Sequence, residues 1–221
     1  MILFRRQRLR PGLIFSVTGA NLTSMLISKV LSKGFDKLGP EAKKIVPVCP
    51  CHDGLTVEVN DIMYIGESKP YKARLTPLDT YEADFESGAA FNPRIFEVVG
   101  ATEEEERKAV DYWLNDVDGT WYDFLAFPRL FIKAVLIDKF DYPAGWEWAH
   151  WCTEGVAEAF ENALGRNIYG KTNPTPLTTI KRVLDGVLRD VTSDMMVILN
   201  PPDTPQKEWK KHTSSNLVLR T

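Results

Sequence analysis

The stretch "CHDGLTVEVND" (residues 51–61) predicts the strand on which the fold is built. Its apolar side chains recur at every second position, which is typical of a half-buried β-strand. Leu55, Val57 and Val59 share one face, and His52 lies near the start of the strand on the other face. The His52 ring therefore points away from one apolar layer and is expected to face a helix packed on the opposite side of the sheet.

The following segment, "IMYIGESK" (62–69), predicts the hairpin partner of this strand. Asn60-Asp61 supplies the turn, since these residues tolerate the left-handed backbone of tight hairpins. Alternation and composition predict further strands at 12–17, 93–100 and 195–200. A period of 3.6 residues predicts helices at 21–34, 102–116, 128–140, 152–165 and 176–184.

Two helix boundaries carry specific signals. Asn21 is a capping residue at the start of the first helix, and Gly34 is expected to end it. Thr102 and Glu105 form a T-x-x-E capping box at the start of the helix that follows.

The order of these elements predicts an α+β domain, because strands and helices do not alternate as βαβ units. Residues 1–8 are expected to form a basic arm that is solvated or contacts an acidic partner or anionic lipid. The domain itself is expected to span 9–200, with an aromatic helical insertion at about 128–148. Residues 201–221 are Pro-rich and then polar, which indicates a flexible or partner-docking C-terminal extension.

The composition excludes several classes of function. The chain has 221 residues, 44% hydrophobic and 26% charged, and a net charge of −3, which is typical of a globular protein and not of a nucleic-acid binder. Three cysteines are too few for a disulfide scaffold and favour a reducing compartment. Neither a signal peptide nor a membrane span is visible, so we expect a cytoplasmic protein or one delivered as part of a virion.

The stretch "AHWCTEGVAEAF" (149–160) places Cys152 in the first turn of an amphipathic helix. In one interpretation it shares the buried stripe of Val156 and Phe160 and packs as a small apolar residue. In the other it is a nucleophile. The helix N-terminus carries partial positive charge and free N–H groups, which favour a thiolate and can bind an oxyanion.

A cysteine nucleophile needs a base, and the base needs an orienting partner. His212 lies in the tail, and His150 is only two residues from Cys152, a spacing at which two side chains do not face each other on a helix. His52 remains as the candidate base. Glu67, in the hairpin partner, is the candidate carboxylate that orients it.

Two other clusters have simpler interpretations. "CPCH" (49–52) offers soft ligands, but a zinc site needs four ligands and no second cluster is present, so we predict no metal and no cofactor. A Cys49–Cys51 disulfide would close a very small ring and is not expected, although Cys51 stays a candidate redox neighbour. The tryptophans that precede Cys152 either pack in the core or form an apolar wall for a substrate: Trp146, Trp148 and Trp151.

These motifs together resemble the permuted papain-like amidases, the YaeF/YiiX-like branch of the NlpC-type cysteine peptidase superfamily. "LRPGLIFSV" is similar to the family's opening Pro-Gly strand, "CHDGLTVEV" to its histidine strand and "IMYIGESKP" to its next strand. "LTPLDTYE", "GTWYDFLAF" and "HWCTEGVAEAF" are similar to its Pro-Leu element, its Tyr-Asp segment and its cysteine helix. The resemblance covers roughly residues 9–185.

The resemblance implies a circularly permuted papain-like fold, in which a small antiparallel sheet or half-barrel packs against helices. It implies that Cys152 is the nucleophile, His52 the general base and Glu67 the third member of the triad. It also implies that Tyr122 and Asp123 shape a substrate pocket and that Glu154 is structural or faces the substrate. Trp151 and Trp148, from the tryptophan cluster above, are candidates for the wall of the same pocket. Leu13 stands where the family usually has Asp, and Cys51 where a small residue usually precedes the histidine, so the substrate stays open.

The function predicted from these residues is a thiol-dependent hydrolase or acyltransferase that forms an acyl-enzyme from an amide or ester. Two substrate classes are open: the peptide part of a cell wall, for an amidase or endopeptidase, and a lipid acyl ester or amide, with peripheral lipid contact. The alternative is a catalytically inactive structural or interaction protein of the same fold. Such a protein would dock through its basic arm and tail in an assembly such as a phage or virus particle.

Overall fold

The computed structural model describes residues 2–69, 71–122, 149–170 and 174–198. Ten strands lie in these ranges: β1 (Ile2–Phe4), β2 (Ile14–Gly19), β3 (His52–Val59), β4 (Ile62–Lys69), β5 (Lys72–Pro77), β6 (Ala90–Val98), β7 (Trp121–Tyr122), β8 (Ala149–His150), β9 (Leu188–Asp190) and β10 (Met196–Ile198). The helices are α1 (Leu22–Lys37), α2 (Pro40–Ile45), α3 (Leu78–Ser87), α4 (Glu103–Tyr112), α5 (Cys152–Leu164), α6 (Pro176–Leu184) and α7 (Thr192–Met195). A π-helical segment, Trp113–Val117, continues α4. Within the ranges given, no helix has the length and apolar character needed to cross a membrane.

Eight strands form one sheet in the order β8-β7-β5-β4-β3-β2-β6-β9. All neighbours in it run antiparallel except β7 and β8, which run parallel. The other two strands, β1 and β10, pair antiparallel with each other. The chain therefore has the α+β architecture that its element order predicts, with an antiparallel sheet at its centre.

The hairpin of β3 and β4 has the predicted turn. Asn60 and Asp61 both have positive φ angles, 53° and 61°, as a two-residue hairpin turn requires. Leu55 pairs with Gly66 across the two strands. Because side chains alternate along a strand, Glu67 then lies on the face opposite Leu55, which is also the face of His52.

The sheet separates two hydrophobic clusters. Consecutive residues of one strand belong to different clusters, as Ile14 and Phe15 do in β2. The first cluster joins the Leu55 face to α1, α2, α4, α5 and α6, and the second joins the opposite face to β1, α3 and α7. The helix that faces His52 across the sheet surface is therefore α3, whereas the cysteine helix α5 packs on the Leu55 face.

The helix α1 extends beyond its expected end. Asn21 is its N-cap, and the Asn21 side chain accepts the N–H of Ser24 at 2.8 Å, as predicted. Gly34, however, lies inside the helix and not at its end. A Cβ atom at position 34 would come within 2.6 Å of the Leu177 side chain on α6, so this glycine permits close packing of two helices.

The expectation of a solvated basic arm at residues 1–8 is corrected for residues 2–4, which form β1, whereas residues 6–8 are exposed. Ile2 and Phe4 are buried in the second cluster, and β1 pairs with β10. Arg6 bonds to Asp79 and Glu82 of α3. The predicted insertion at 128–148 and tail at 201–221 lie outside the described residues.

Gly12 allows the opening Pro-Gly segment to approach α4 closely. Its φ angle is +86°, and a Cβ atom there would stand 2.5 Å from the Cβ of Glu106 and 3.0 Å from its Cα. The same segment is fixed by the Gly12 N–H, which donates to the Thr56 carbonyl at 2.9 Å, and by Arg10, which pairs with Glu106 at 2.9 Å. Position 12 therefore requires glycine for both its backbone angle and its space.

We expect Gly12→Ala to destabilise the fold more than Gly88→Ala. Both positions have positive φ, but a Cβ atom at Gly88 meets nothing within 4 Å. Gly88→Ala should lower the free energy of unfolding by about 1–2 kcal/mol through backbone strain alone. Gly12→Ala should lower it by about 1–3 kcal/mol more, because of overpacking against Glu106. Urea unfolding of both variants measures the difference, and equal losses would contradict the close approach.

Candidate active site

His52 and Cys152 meet at one end of the sheet. His52 is the first residue of β3, and Cys152 is the first residue of α5. The Cys152 side chain lies close enough to the His52 imidazole to raise the pKa of that ring. Although α5 packs on the face opposite His52, the two side chains reach each other because each stands at the very start of its element. The structure thus brings the predicted nucleophile and base together.

The start of α5 is fixed by a local contact. Trp151 keeps an extended backbone, with φ −90° and ψ 171°, and the Glu154 carboxylate accepts its N–H at 3.4 Å. The reverse bond of a capping box, from the Glu154 N–H to the side chain at position 151, cannot form because the tryptophan side chain has no acceptor. Glu154 therefore holds the residue immediately before Cys152. The helix ends at Gly165, whose left-handed backbone has φ 62°.

Glu67 lies behind His52 as a buried carboxylate with four donors. His52 Nε2 bonds to its Oε2 atom, which also accepts the Tyr81 hydroxyl. Its Oε1 atom accepts the Thr76 hydroxyl and lies 2.7 Å from Lys69 Nζ. Since Nε2 is used by Glu67, Nδ1 is the imidazole nitrogen left for the Cys152 thiol.

For both His52 and Glu67, burial and the neighbouring groups shift the pKa in opposite directions. Burial acts to lower the pKa of His52, but hydrogen bonds and charge from Cys152 and Glu67 outweigh it and raise that pKa well above its ordinary value. Burial acts to raise the pKa of Glu67, but His52 and Lys69 lower it to about 2. Both shifts favour the charged forms of the two groups, an imidazolium beside a carboxylate.

The other predicted pocket residues are only partly placed by the structure. Trp151 is buried beside Cys152, and Glu154 is buried in the first turn of α5. Tyr122 belongs to β7, where its Cα partner is His150 of β8. This pairing brings the backbone of residue 122 next to the segment that leads into Cys152. Asp123 and Trp148 lie outside the described residues.

Cys49 and Cys51 are free, buried thiols beside this cluster. Burial raises the pKa of both, so neither is prone to form a thiolate. The Cys51 sulfur accepts the Gly19 N–H at 3.2 Å. In the part of the chain that the structure describes, no group of three or more His, Cys, Asp and Glu residues stands in a position to hold a metal ion.

Sequence reasoning did not identify three of the donors to Glu67: Lys69, Thr76 and Tyr81. Lys69 carried a usable signal, because it follows Glu67 by two positions in the same strand and so shares its face. Thr76 and Tyr81 lie in β5 and α3, elements that no periodicity indicated. A buried glutamate in a strand does, however, predict that donors must converge on it from neighbouring elements.

No protein-family model matches the chain, and neither does any curated protein. Among solved structures, the chain is similar to the crystal structure of the metalloprotein YiiX from Escherichia coli O157:H7. The two share 18% sequence identity over 87% of this chain and 90% of that chain, with a TM-score of 0.48.

We predict that Glu67→Gln destabilises the protein most between about pH 4.5 and 6.5, the ordinary pKa values of glutamate and histidine. Stability from the lowered pKa of Glu67 is present above pH 4.5 and is lost as the pH falls towards 2. Stability from the raised pKa of His52 is present below pH 6.5 and is lost as the pH rises through its folded value. Between these two pH values, Glu67→Gln should lower the free energy of unfolding by about 3 kcal/mol, the size typical of a broken buried ion pair.

Urea unfolding at about pH 3, 5.5 and 9 measures this dependence. Glu104→Gln is the matched control, since Glu104 is exposed and pairs with Lys108 at 2.9 Å, an i,i+4 pair on the surface of α4. Its effect should be small at every pH. If Glu67→Gln lowers the free energy of unfolding by the same amount at all three pH values, no imidazolium–carboxylate pair contributes to stability.

Proposed function

We propose that the protein is a thiol-dependent hydrolase or acyltransferase in which Cys152 is the nucleophile, His52 the general base and Glu67 the group that orients it. One observation carries the proposal: the His52 ring bonds to the buried carboxylate of Glu67 and lies close enough to the Cys152 side chain for that side chain to raise its pKa. A nucleophile, a base in contact with it and a third group behind the base are the parts that covalent acyl transfer requires.

The reactive form of the pair is a Cys152 thiolate beside a His52 imidazolium, in which the thiol proton has moved from sulfur to His52 Nδ1. Glu67 fixes the ring through Nε2 and stabilises the imidazolium that forms. The thiolate then attacks the carbonyl carbon of an amide or ester, and a sulfur–carbon bond forms as the carbonyl oxygen becomes an oxyanion. The first N–H groups of a helix have no acceptor within it. In this proposal the Cys152 N–H at the start of α5 binds the oxyanion.

Collapse of the tetrahedral intermediate breaks the bond to the leaving group, which takes its proton from His52. The result is a thioester between the substrate acyl group and Cys152. Water, or another nucleophile in an acyltransferase, then gives a proton to His52 and attacks the thioester, which regenerates the free thiol. The cycle needs no redox partner.

The order of the parts along the chain supports a permuted papain-like arrangement as part of the proposal. The base lies in β3, the orienting carboxylate in β4, and the nucleophile much later, at the start of α5. This is the order of the amidases that the sequence resembles. A cell-wall peptide amide and a lipid acyl group remain the two substrate classes, and cytoplasmic location or delivery in a virion remains a prediction.

One observation favours the alternative, an inactive structural or interaction protein of the same fold. Cys152 is only 5% exposed, and the His52 side chain 17%. A thiol this deeply buried packs well as a small apolar residue. The two functions differ in one respect that can be measured: only an enzyme needs a thiol that reacts below the pH at which ordinary cysteines react.

The deciding experiment is alkylation of Cys152 by iodoacetamide from about pH 4 to 9, mapped by mass spectrometry. We expect fast alkylation below pH 7 in the wild type and a loss on the order of tenfold in His52→Ala. Cys49 and Cys51 are internal controls, since both are buried thiols of the same chain with raised pKa values. His150→Ala controls for loss of a histidine near Cys152 in the sequence.

If Cys152 reacts only above about pH 8, or not at all, the enzymatic proposal fails and the structural alternative stands. Reaction at low pH that does not depend on His52 would equally remove His52 from the role of base.

A further inference from the structure

The proposed mechanism does not use the carboxylate of Asp53. Asp53 follows His52 in β3 and is fully buried. Its Oδ1 atom accepts the Ser16 hydroxyl at 2.6 Å. Its Oδ2 atom accepts two hydroxyls, from Thr153 at 2.8 Å and from Thr179 at 2.7 Å. All three hydroxyl residues are themselves fully buried.

This cluster, which we call the Asp53 knot, joins four elements of the fold. Ser16 belongs to β2, Asp53 to β3, Thr153 to α5 and Thr179 to α6. Burial raises the pKa of Asp53, and the three hydroxyls oppose that shift. A carboxylate is costly to bury, so its presence among apolar side chains on the Leu55 face calls for a reason beyond packing.

The position of the knot relative to the candidate active site supplies that reason. Asp53 is the residue after the proposed base, and Thr153 is the residue after the proposed nucleophile. The Asp53–Thr153 hydrogen bond therefore lies next to the His52–Cys152 pair, one residue further along both β3 and α5. It joins β3 to α5 directly beside the backbone positions of His52 and Cys152.

We propose that Asp53 is a positioning residue, which through Thr153 holds Cys152 at the distance from His52 that proton transfer requires. This inference rests on the proposed function. Thr153 Oγ1 lies 3.8 Å from the Cys152 sulfur, but its single hydrogen is donated to Asp53. The hydroxyl therefore does not donate to the sulfur, and its contribution is to the placement of the helix start.

Thr179 provides a matched control for this inference. It donates the same kind of bond, of nearly the same length, to the same oxygen, and it is equally buried. It differs in that it ties α6, and not the cysteine helix, to Asp53. If the knot serves only to stabilise the packing, the loss of either threonine hydroxyl should have the same consequence.

The test compares Thr153→Val, Thr179→Val and Thr153→Ser in the full chain. The iodoacetamide alkylation rate of Cys152 is measured at about pH 6, and thermal unfolding is followed in parallel. We expect Thr153→Val to slow alkylation by a factor of about 10–100, because small misplacements of reacting groups have effects of this size. Thr179→Val should stay within about twofold of the wild type, and Thr153→Ser, which keeps the hydroxyl, within about threefold. The two valine variants should lose similar thermal stability.

The possible failures are distinguishable. If the wild-type Cys152 is itself unreactive at pH 6, the proposed function fails and the positioning role fails with it. If the wild type is reactive but Thr153→Val and Thr179→Val behave alike, the positioning role alone is overturned and the knot is a packing device. If Thr153→Val does not fold, Thr153→Ala and Thr179→Ala, which remove the same hydroxyls without added bulk, are compared by the same criterion.

Discussion

The charge of Glu67 is buried in the sheet, and much of the architecture around it can be understood as the means of keeping it there. An ionised carboxylate without water is unstable unless donors surround it. The donors here are side chains of β3, β4, β5 and α3. To bring these donors to Glu67, β4 must pair with both β3 and β5, and α3 must pack on the sheet. A slip of β4 by one residue would turn Glu67 to the Leu55 face, away from three of these donors.

Two buried carboxylates, Glu67 and Asp53, lie on opposite faces of the sheet. Glu67 lies on the His52 face and meets the ring itself, whereas Asp53 lies on the Leu55 face and meets the helix that carries Cys152. Alternation along β3 makes this division possible, since His52 and Asp53 are neighbours in the chain and point to opposite layers. In the proposed function Glu67 orients the base, and in the further inference Asp53 places the nucleophile.

Local sequence patterns predicted the parts of the fold that are built from neighbouring residues. The Asn60-Asp61 turn and the start of α5 depend on contacts within a few positions, and the period of two placed His52 on the face opposite Leu55. What could not be predicted depends on distant partners. The β1 strand exists because residues near position 197 pair with it, and Asp53 finds its hydroxyls 100 and 126 positions away. A three-residue strand such as β1 carries no readable period, and a lone aspartate gives no sign of which hydroxyls will reach it.

Cys152 approaches the site from one layer of the molecule, while the groups that hold His52 in place come from the other. The thiol and its partner therefore meet only after both layers have docked on the sheet. A newly made chain with either layer still loose would carry an ordinary, unpaired cysteine. If the proposed function holds, completion of folding is the step that pairs the thiol with its base, and a partly folded chain has only an ordinary cysteine.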